Sequence, residues 1–204
     1  MENIKGNILP KSFYTRADVV QIAREFIGKV LVSNFNNHLT SGIIIETEAY
    51  AGTTDKASHA FGGLRSNRTE IMYHEGGPAY IYLCYGIHSL FNVVTNVEGI
   101  PHAVLIRAIK PLEGVNIMLE RIGKKKLEKH SGLGPGRASK LLGIHYTQTG
   151  NEITSEANEH NLDVWIEDRG INYEDTSIVS SPRIGVGYAG EDARLPYRFV
   201  LDTK

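Results

Sequence analysis

"KVLVSNFNNHLTSGIIIETEAYAG", residues 29–52, sets two apolar runs rich in β-branched residues on either side of Asn36-Asn37. Asparagine tolerates the left-handed backbone that a two-residue hairpin turn demands, so the stretch reads as two antiparallel strands. Upstream, Val19, Ile22, Ala23, Phe26 and Ile27 recur at helical spacing before Gly28, and Thr15 followed three residues later by Asp18 predicts the helix start. Downstream, "AYIYLCY" (79–85), "HAVLIRAI" (102–109), "LDVWIED" (162–168), "RIGVGYAG" (183–190) and "RFVL" (198–201) read as strands. "PLEGVNIMLERIG" (111–123), opening on Pro111, reads as a helix, and "GPGRASKLLGI" (134–144) as a turn feeding a short helix. Residues 51–78 read as loop with a short helical piece around Arg68 to Met72, and "GKKKLEKHSG" (123–132) as an exposed connection. No repeat or linker divides the chain. The expectation is one α+β domain over residues 1–204, with an antiparallel sheet and surrounding helices.

The 204 residues are 41% hydrophobic, enough for a substantial core. A single cysteine, Cys84, excludes an intrachain disulfide framework and a cysteine-rich metal site, and points to a reducing compartment. The start has no apolar signal region and no stretch approaches the ~20 apolar residues of a membrane span, so a soluble, unprocessed protein away from membranes is expected. With 22 Lys plus Arg against 23 Asp plus Glu the net charge is -1, so any nucleic-acid partner must meet a local basic face.

Three isoleucines in "GIIIETEAYAG" argue for a buried strand, and period two then places Ile44, Glu46, Glu48 and Tyr50 on one face. The pattern leaves two readings open: a strand emerging into water, or carboxylates held for chemistry. Arg107, near the end of another apolar run, is a partner that would favour an ionised carboxylate if the two strand ends meet. The loop "AGTTDKASHAFGG" adds Asp55, Ser58 and His59. There is no HExxH, no compact histidine spacing, no nucleophile elbow, phosphate loop or dinucleotide fingerprint, so neither metal nor cofactor is expected. Basic residues gather as Arg65 with Arg68, as Arg121 through Lys129, and as Arg137 with Lys140 after a glycine-rich turn suited to a phosphate. Tyr80, Tyr82 and Tyr85 in "AYIYLCYGIHSLFN" (79–92) are either strand core or a tool for gripping something flat.

Taken together, "ETEAYAGTTDKASHAFGG", "AYIYLCYGIHSLFNVV", "AVLIRAIKPLEG", "GLGPGRASKLLGI" and "PRIGVGYAGEDARLPYRF" resemble, in that order, the alkyladenine (3-methyladenine) DNA glycosylase family, from about Lys11 to Phe199. The resemblance implies a curved, partly barrel-like sheet. It also implies a monofunctional base-excision repair enzyme that flips an alkylated or deaminated purine (3-methyladenine, 7-methylguanine, hypoxanthine, ethenoadenine) out of duplex DNA and hydrolyses its N-glycosidic bond. By residue matching, Glu48 is the general base for the attacking water, Arg107 helps hold that water, and Ile184 adds a main-chain contact. Tyr50 and Tyr82 face the flipped base with His59 beside it, and Asn92 screens purines near a guanine amino group. Tyr85 fills the gap left in the DNA stack, while Tyr80 serves the fold. Arg65, Arg68, Arg121, Arg137 and Lys140 are backbone-contact candidates.

The implied partner is double-stranded DNA containing damaged purines, bound by a monomer. The implied location is cytoplasmic or nucleoid-associated in a bacterium and nuclear in a eukaryote. Two rivals from other classes are a non-catalytic nucleic-acid module and a carbohydrate glycoside hydrolase. The latter would pair Glu46, Glu48 or Asp55, the first two standing about 7 Å apart on a regular strand.

Overall fold

A computed structural model describes residues 6–156 and 162–202. The opening hairpin forms as its sequence reads: β2 (Val30–Phe35) pairs with β3 (His38–Tyr50) across Asn36 and Asn37, whose φ angles are 54° and 62°. Two consecutive left-handed residues give the turn the twist of its flanking strands. At 13 residues β3 is the spine of the sheet. Along one edge it carries β2 on its first half and β9 (Arg198–Leu201) on its second; along the other it carries β6 (His102–Glu113) from Ser41 to Tyr50.

The full path runs β1 (Asn7–Ile8), β7 (Val164–Asp168), β2, β3, β6, β5 (His88–Thr95), β4 (Ala79–Cys84), with β8 (Ile178–Ser181) added outside β9. Every pair is antiparallel. The sheet does not close into a barrel, because β1 and β4 lie at opposite ends of the path and do not pair. The free edge of β4 is instead covered by residues 149–151: Ala79 N donates to Asn151 O, Gly150 N to Ala79 O, and Ile81 N to Thr149 Oγ1. Covering an edge in this way removes the template for unwanted strand addition.

Helices pack on one face of the sheet. Helix α2 (Val19–Glu25) buries Val19, Ile22 and Ala23, and Asp18 Oδ1 caps it by accepting from Gln21 N at 2.9 Å. Thr15 does not share in that cap; its N–H closes the preceding turn α1 (Lys11–Tyr14) on Lys11 O. The main core joins Tyr14, Phe26 and Leu31 to Ile44, Ile106 and Ile109 of the sheet and to Leu141 and Leu142 of α4 (Pro135–Leu142).

Two other expectations fail for identifiable reasons. Pro111 does not open helix α3 (Val115–Ile122); it lies in β6 opposite Gly42, and the helix begins only after Gly114. "RIGVGYAG" forms no strand: Gly187–Arg194 is 3₁₀-helical with a break at Gly190, and Arg183 and Ile184 instead bond to β3 by single donors. Among the described residues, the strands that the sequence reading does not name are β1, β5 and β8, the last a short partner of β9.

Candidate active site

Period two fails on β3, and the failure builds the site. Ile44 pairs with Ile109, Glu46 with Ala108 and Thr47 with Ile106, so Ile45 is an extra residue on β3 and Arg107 an extra residue on β6. Such bulges re-aim side chains. Ile44 therefore shares the main core with Ala49, and Thr47 Oγ1 donates to Ala23 O of α2, whereas Glu46, Glu48 and Tyr50 turn to the other side of the sheet. On β6 the same switch sends Val104, Ile106 and Ile109 to the core and Ala103, Leu105 and Arg107 to a cavity of about 300 Å³.

The strand ends thus do meet. Arg107 Nε donates to Glu46 Oε1 at 2.8 Å and lies 3.4 Å from Glu48 Oε1. Arg198 Nε also donates to Glu46 Oε1, at 2.7 Å, which ties β9 to the same group. Glu48 is wholly buried. Its Oε1 accepts from Ile184 N at 2.7 Å and its Oε2 from the Tyr50 hydroxyl at 2.8 Å. Burial raises the Glu48 pKa, and Arg107, the Ile184 N–H and the Tyr50 hydroxyl only partly offset it. The carboxylate lies behind Tyr50, Arg107 and Ile184, each of which lines the cavity.

Tyr50, His59, Tyr82, Tyr85, Asn92, Arg107 and Ile184 all line this one cavity. Tyr80 does too, and it is also a core residue, 2% exposed and packed with Met72, Tyr73 and Val94. Its hydroxyl bonds His59 Nδ1 at 2.8 Å, and the His59 ring meets Tyr82 edge-on at 4.7 Å. Burial, with Arg68 nearby, lowers the His59 pKa to about 4, so the imidazole is neutral at ordinary pH. Asn92 Nδ2 donates to the carbonyls of Tyr80 and Leu90, which leaves Oδ1 as the group it can offer the cavity.

Tyr85 sits at the tip of the β4–β5 hairpin with φ 52°, followed by Gly86 at 71°, and it is 91% exposed. A tyrosine held left-handed and in water is costly twice over, and functional tips are where such cost persists. Beside the tip, Gly136 lies so close to β5 that a Cβ there would sit 2.9 Å from His88 Cβ, and Pro135 lines the cavity. The first turn of α4 therefore flanks the tyrosine-bearing hairpin.

The basic candidates divide. Arg137 and Lys140 are exposed on α4, and Arg68 Cζ lies 5.9 Å from the Tyr82 ring centroid at the cavity. Arg65 is held by Glu70 through two bonds. Arg121 is not brought to the cavity: it braces α3 against α4 by donating to Thr40 Oγ1 at 2.9 Å and Leu141 O at 2.8 Å. Sequence reading missed Arg183 and Tyr188. Arg183 is a buried partner of Asp55, and Tyr188 lines the cavity with its hydroxyl on Ala57 O. Arg183 stands in an irregular segment and Tyr188 in the kinked 3₁₀ stretch after it, and neither has a periodicity that announces which way a side chain points.

A family model described as methylpurine-DNA glycosylase (MPG) matches residues 12–204. The chain belongs to the methylpurine-DNA glycosylase family. Its relatives include proteins named "Putative 3-methyladenine DNA glycosylase" from Chlamydia abortus, 45% identical over 97% of this chain and 100% of the relative, and from Clostridium perfringens, 40% identical over 95% of each. A similarly named protein of Bacillus cereus is 38% identical over 95% of each. As a DNA glycosylase, the chain acts on DNA. Among the described residues no helix is long and apolar enough to cross a membrane.

Proposed function

We propose that this chain is a monofunctional DNA glycosylase that flips alkylated and deaminated purines from duplex DNA and hydrolyses the N-glycosidic bond with a water activated by Glu48. The observation that carries the reading is the buried Glu48 carboxylate, held by Ile184 N–H, the Tyr50 hydroxyl and Arg107 directly behind an aromatic cavity. Glu48 takes a proton from water as the water oxygen attacks C1′, and the C1′–N9 electron pair leaves with the base. Arg107 holds the water and the carboxylate in place.

A cationic base such as 3-methyladenine or 7-methylguanine is neutralised as it departs, so one carboxylate suffices, and tyrosine faces attract its charge. Tyr50 and Tyr82 stack on the flipped base with neutral His59 at its edge, and Asn92 narrows the space a guanine amino group would enter. Tyr85 replaces the flipped nucleotide in the stack. Hypoxanthine and ethenoadenine must also gain a proton on leaving, so they are excised more slowly. Arg68, Arg137 and Lys140 contact phosphates, with Arg65 able to join them at the cost of its Glu70 pair.

The glycoside-hydrolase alternative needs a free carboxylate pair, but Glu46 is committed to two arginines and Asp55 to Arg183. Excision of 3-methyladenine and hypoxanthine from a duplex tests the proposal. Glu48→Gln should slow single-turnover release by about 10² to 10⁴-fold. Because burial raises the Glu48 pKa, the wild-type rate should rise with pH along an acid limb lying above the ordinary glutamate range. Retained excision in Glu48→Gln would remove Glu48 from its role, and binding without base release by the wild type would make the chain a recognition module.

A further inference from the structure

Arg183 lies one residue before Ile184 and has no part in the reaction as derived above. We propose that it is the positioning residue of the site, clamping the Glu48–Tyr50 stretch of β3 to the segment that carries Ile184 and so setting the Ile184 N–H and the Tyr50 ring against the Glu48 carboxylate. The proposal rests on the reading of Glu48 as the base.

The side chain of Arg183 is fully buried, and its planar fork is used on three sides. Nη1 donates to Ala49 O at 2.8 Å, the carbonyl between Glu48 and Tyr50, and pairs with Asp55 Oδ2. Nη2 donates to Asp55 Oδ1 at 2.8 Å and to Asp192 O at 3.3 Å. The guanidinium carbon also lies 4.8 Å from the Tyr50 ring centroid and 5.3 Å from that of Tyr197. Tyr197 O, one residue before β9, in turn accepts from Ala49 N at 2.8 Å, so the arginine and Tyr197 hold the same residue of β3.

One peptide link from this clamp, Ile184 N stands 2.7 Å from Glu48 Oε1. Consecutive Cα atoms are about 3.8 Å apart, so Arg183 cannot shift without moving that donor. Its cation also backs one face of Tyr50, whose hydroxyl is the second donor to Glu48. A lysine would keep the charge but lose the fork and the stacking plane.

The groups that bear on Glu48 are Glu46 and Tyr50 from β3, Arg107 from β6, Tyr82 from β4, Arg183 itself from the irregular segment and Tyr188 from the 3₁₀ stretch after it, with Arg198 acting through Glu46. Removing the clamp takes a well-placed donor from the carboxylate, Arg183→Met also takes a nearby positive charge, and both leave its burial in place. Its proton affinity then rises.

The test is single-turnover excision from a duplex bearing one hypoxanthine, followed across pH for wild type, Arg183→Lys, Arg183→Met and Glu48→Gln. Folding is checked by the melting temperature read from Trp165 fluorescence. The expected result for folded Arg183→Lys is an about tenfold or greater rate loss, as misplacement of a reacting group produces, together with an acid limb moved to higher pH and unchanged duplex affinity. Arg183→Met should lose more; should it fail to fold, the lysine variant carries the test. A wild-type rate and acid limb in Arg183→Lys would overturn the proposal. So would a lower rate with an unmoved acid limb, which is the signature of a residue that only supports the fold. If Glu48→Gln excises as wild type does, the reading of Glu48 itself fails. If Glu48→Gln is inactive while the arginine variants keep the wild-type profile, only the clamp is wrong.

Discussion

At the level of single residues, Glu48 and His59 are governed by burial more than by their charged neighbours. Glu48 has an arginine 3.4 Å away, yet desolvation still raises its pKa, because a carboxylate with no exposure loses more from water than one offset guanidinium returns. Burial acts on His59 in the opposite direction, toward the neutral imidazole, with a folded pKa of about 4. A histidine whose folded pKa lies below its unfolded value of about 6.5 adds stability above that pH and surrenders it as pH falls toward 4. His59→Gln should therefore flatten the loss of stability between pH 6.5 and 4 by on the order of 2 kcal/mol, measured by urea unfolding at several pH values. An equal slope in both proteins would mean that His59 is not held neutral by the fold.

Among the elements, the sequence exposes some far more plainly than others. The Asn36-Asn37 hairpin is legible, since two turn residues between β-branched runs have few other uses. The double bulge where β3 meets β6 is not, because Ile45 and Arg107 look like ordinary members of their strands and the slip exists only in the pairing. The β4–β5 hairpin lies between these cases: Gly86 marks the turn, but the left-handed strain falls on Tyr85. Tyr85→Gly removes that strain and adds unfolded-chain entropy, two opposed effects of about 1 kcal/mol each, so stability should stay within about 1 kcal/mol of wild type. The same change removes the stacking surface, and affinity for a lesion duplex should drop about tenfold. Melting temperature and duplex titration together check this, and undiminished affinity would show that the exposed ring has no place in the DNA stack.

At the scale of the whole molecule, a net charge of -1 hides an uneven surface. Arg68 stands at the cavity and Arg137 and Lys140 are exposed on α4, the helix whose first turn flanks the tyrosine hairpin, while Arg16, Arg24 and Lys29 are each paired with a carboxylate elsewhere. Duplex binding should accordingly weaken with salt, log K falling along log [salt] with a slope of about -0.9 per phosphate met, so about -2 to -3 for these three. Anisotropy titrations over a range of salt measure the slope, and Arg137→Ala should reduce it by about one. A flat dependence would place the DNA on some other face.

The two-residue turn, the helix at Val19–Glu25, the absence of any long apolar span and the ordered blocks that mark the family were all present in the linear chain, because each is written in local spacing or residue type. The convergence of Glu48, Arg107, Tyr50 and Ile184 was implied by the family resemblance alone and not by spacing. Period two put Ile44 beside Glu48, and only the paired bulges separate them, sending one to the core and the other behind the cavity. Arg183 is further from local reach still: it acts on Asp55 and Ala49 across 128 and 134 residues from a segment with no repeating pattern. Local propensity decides what each stretch becomes, whereas strand register and burial among distant partners decide which side chains share a site and how tightly each holds its proton.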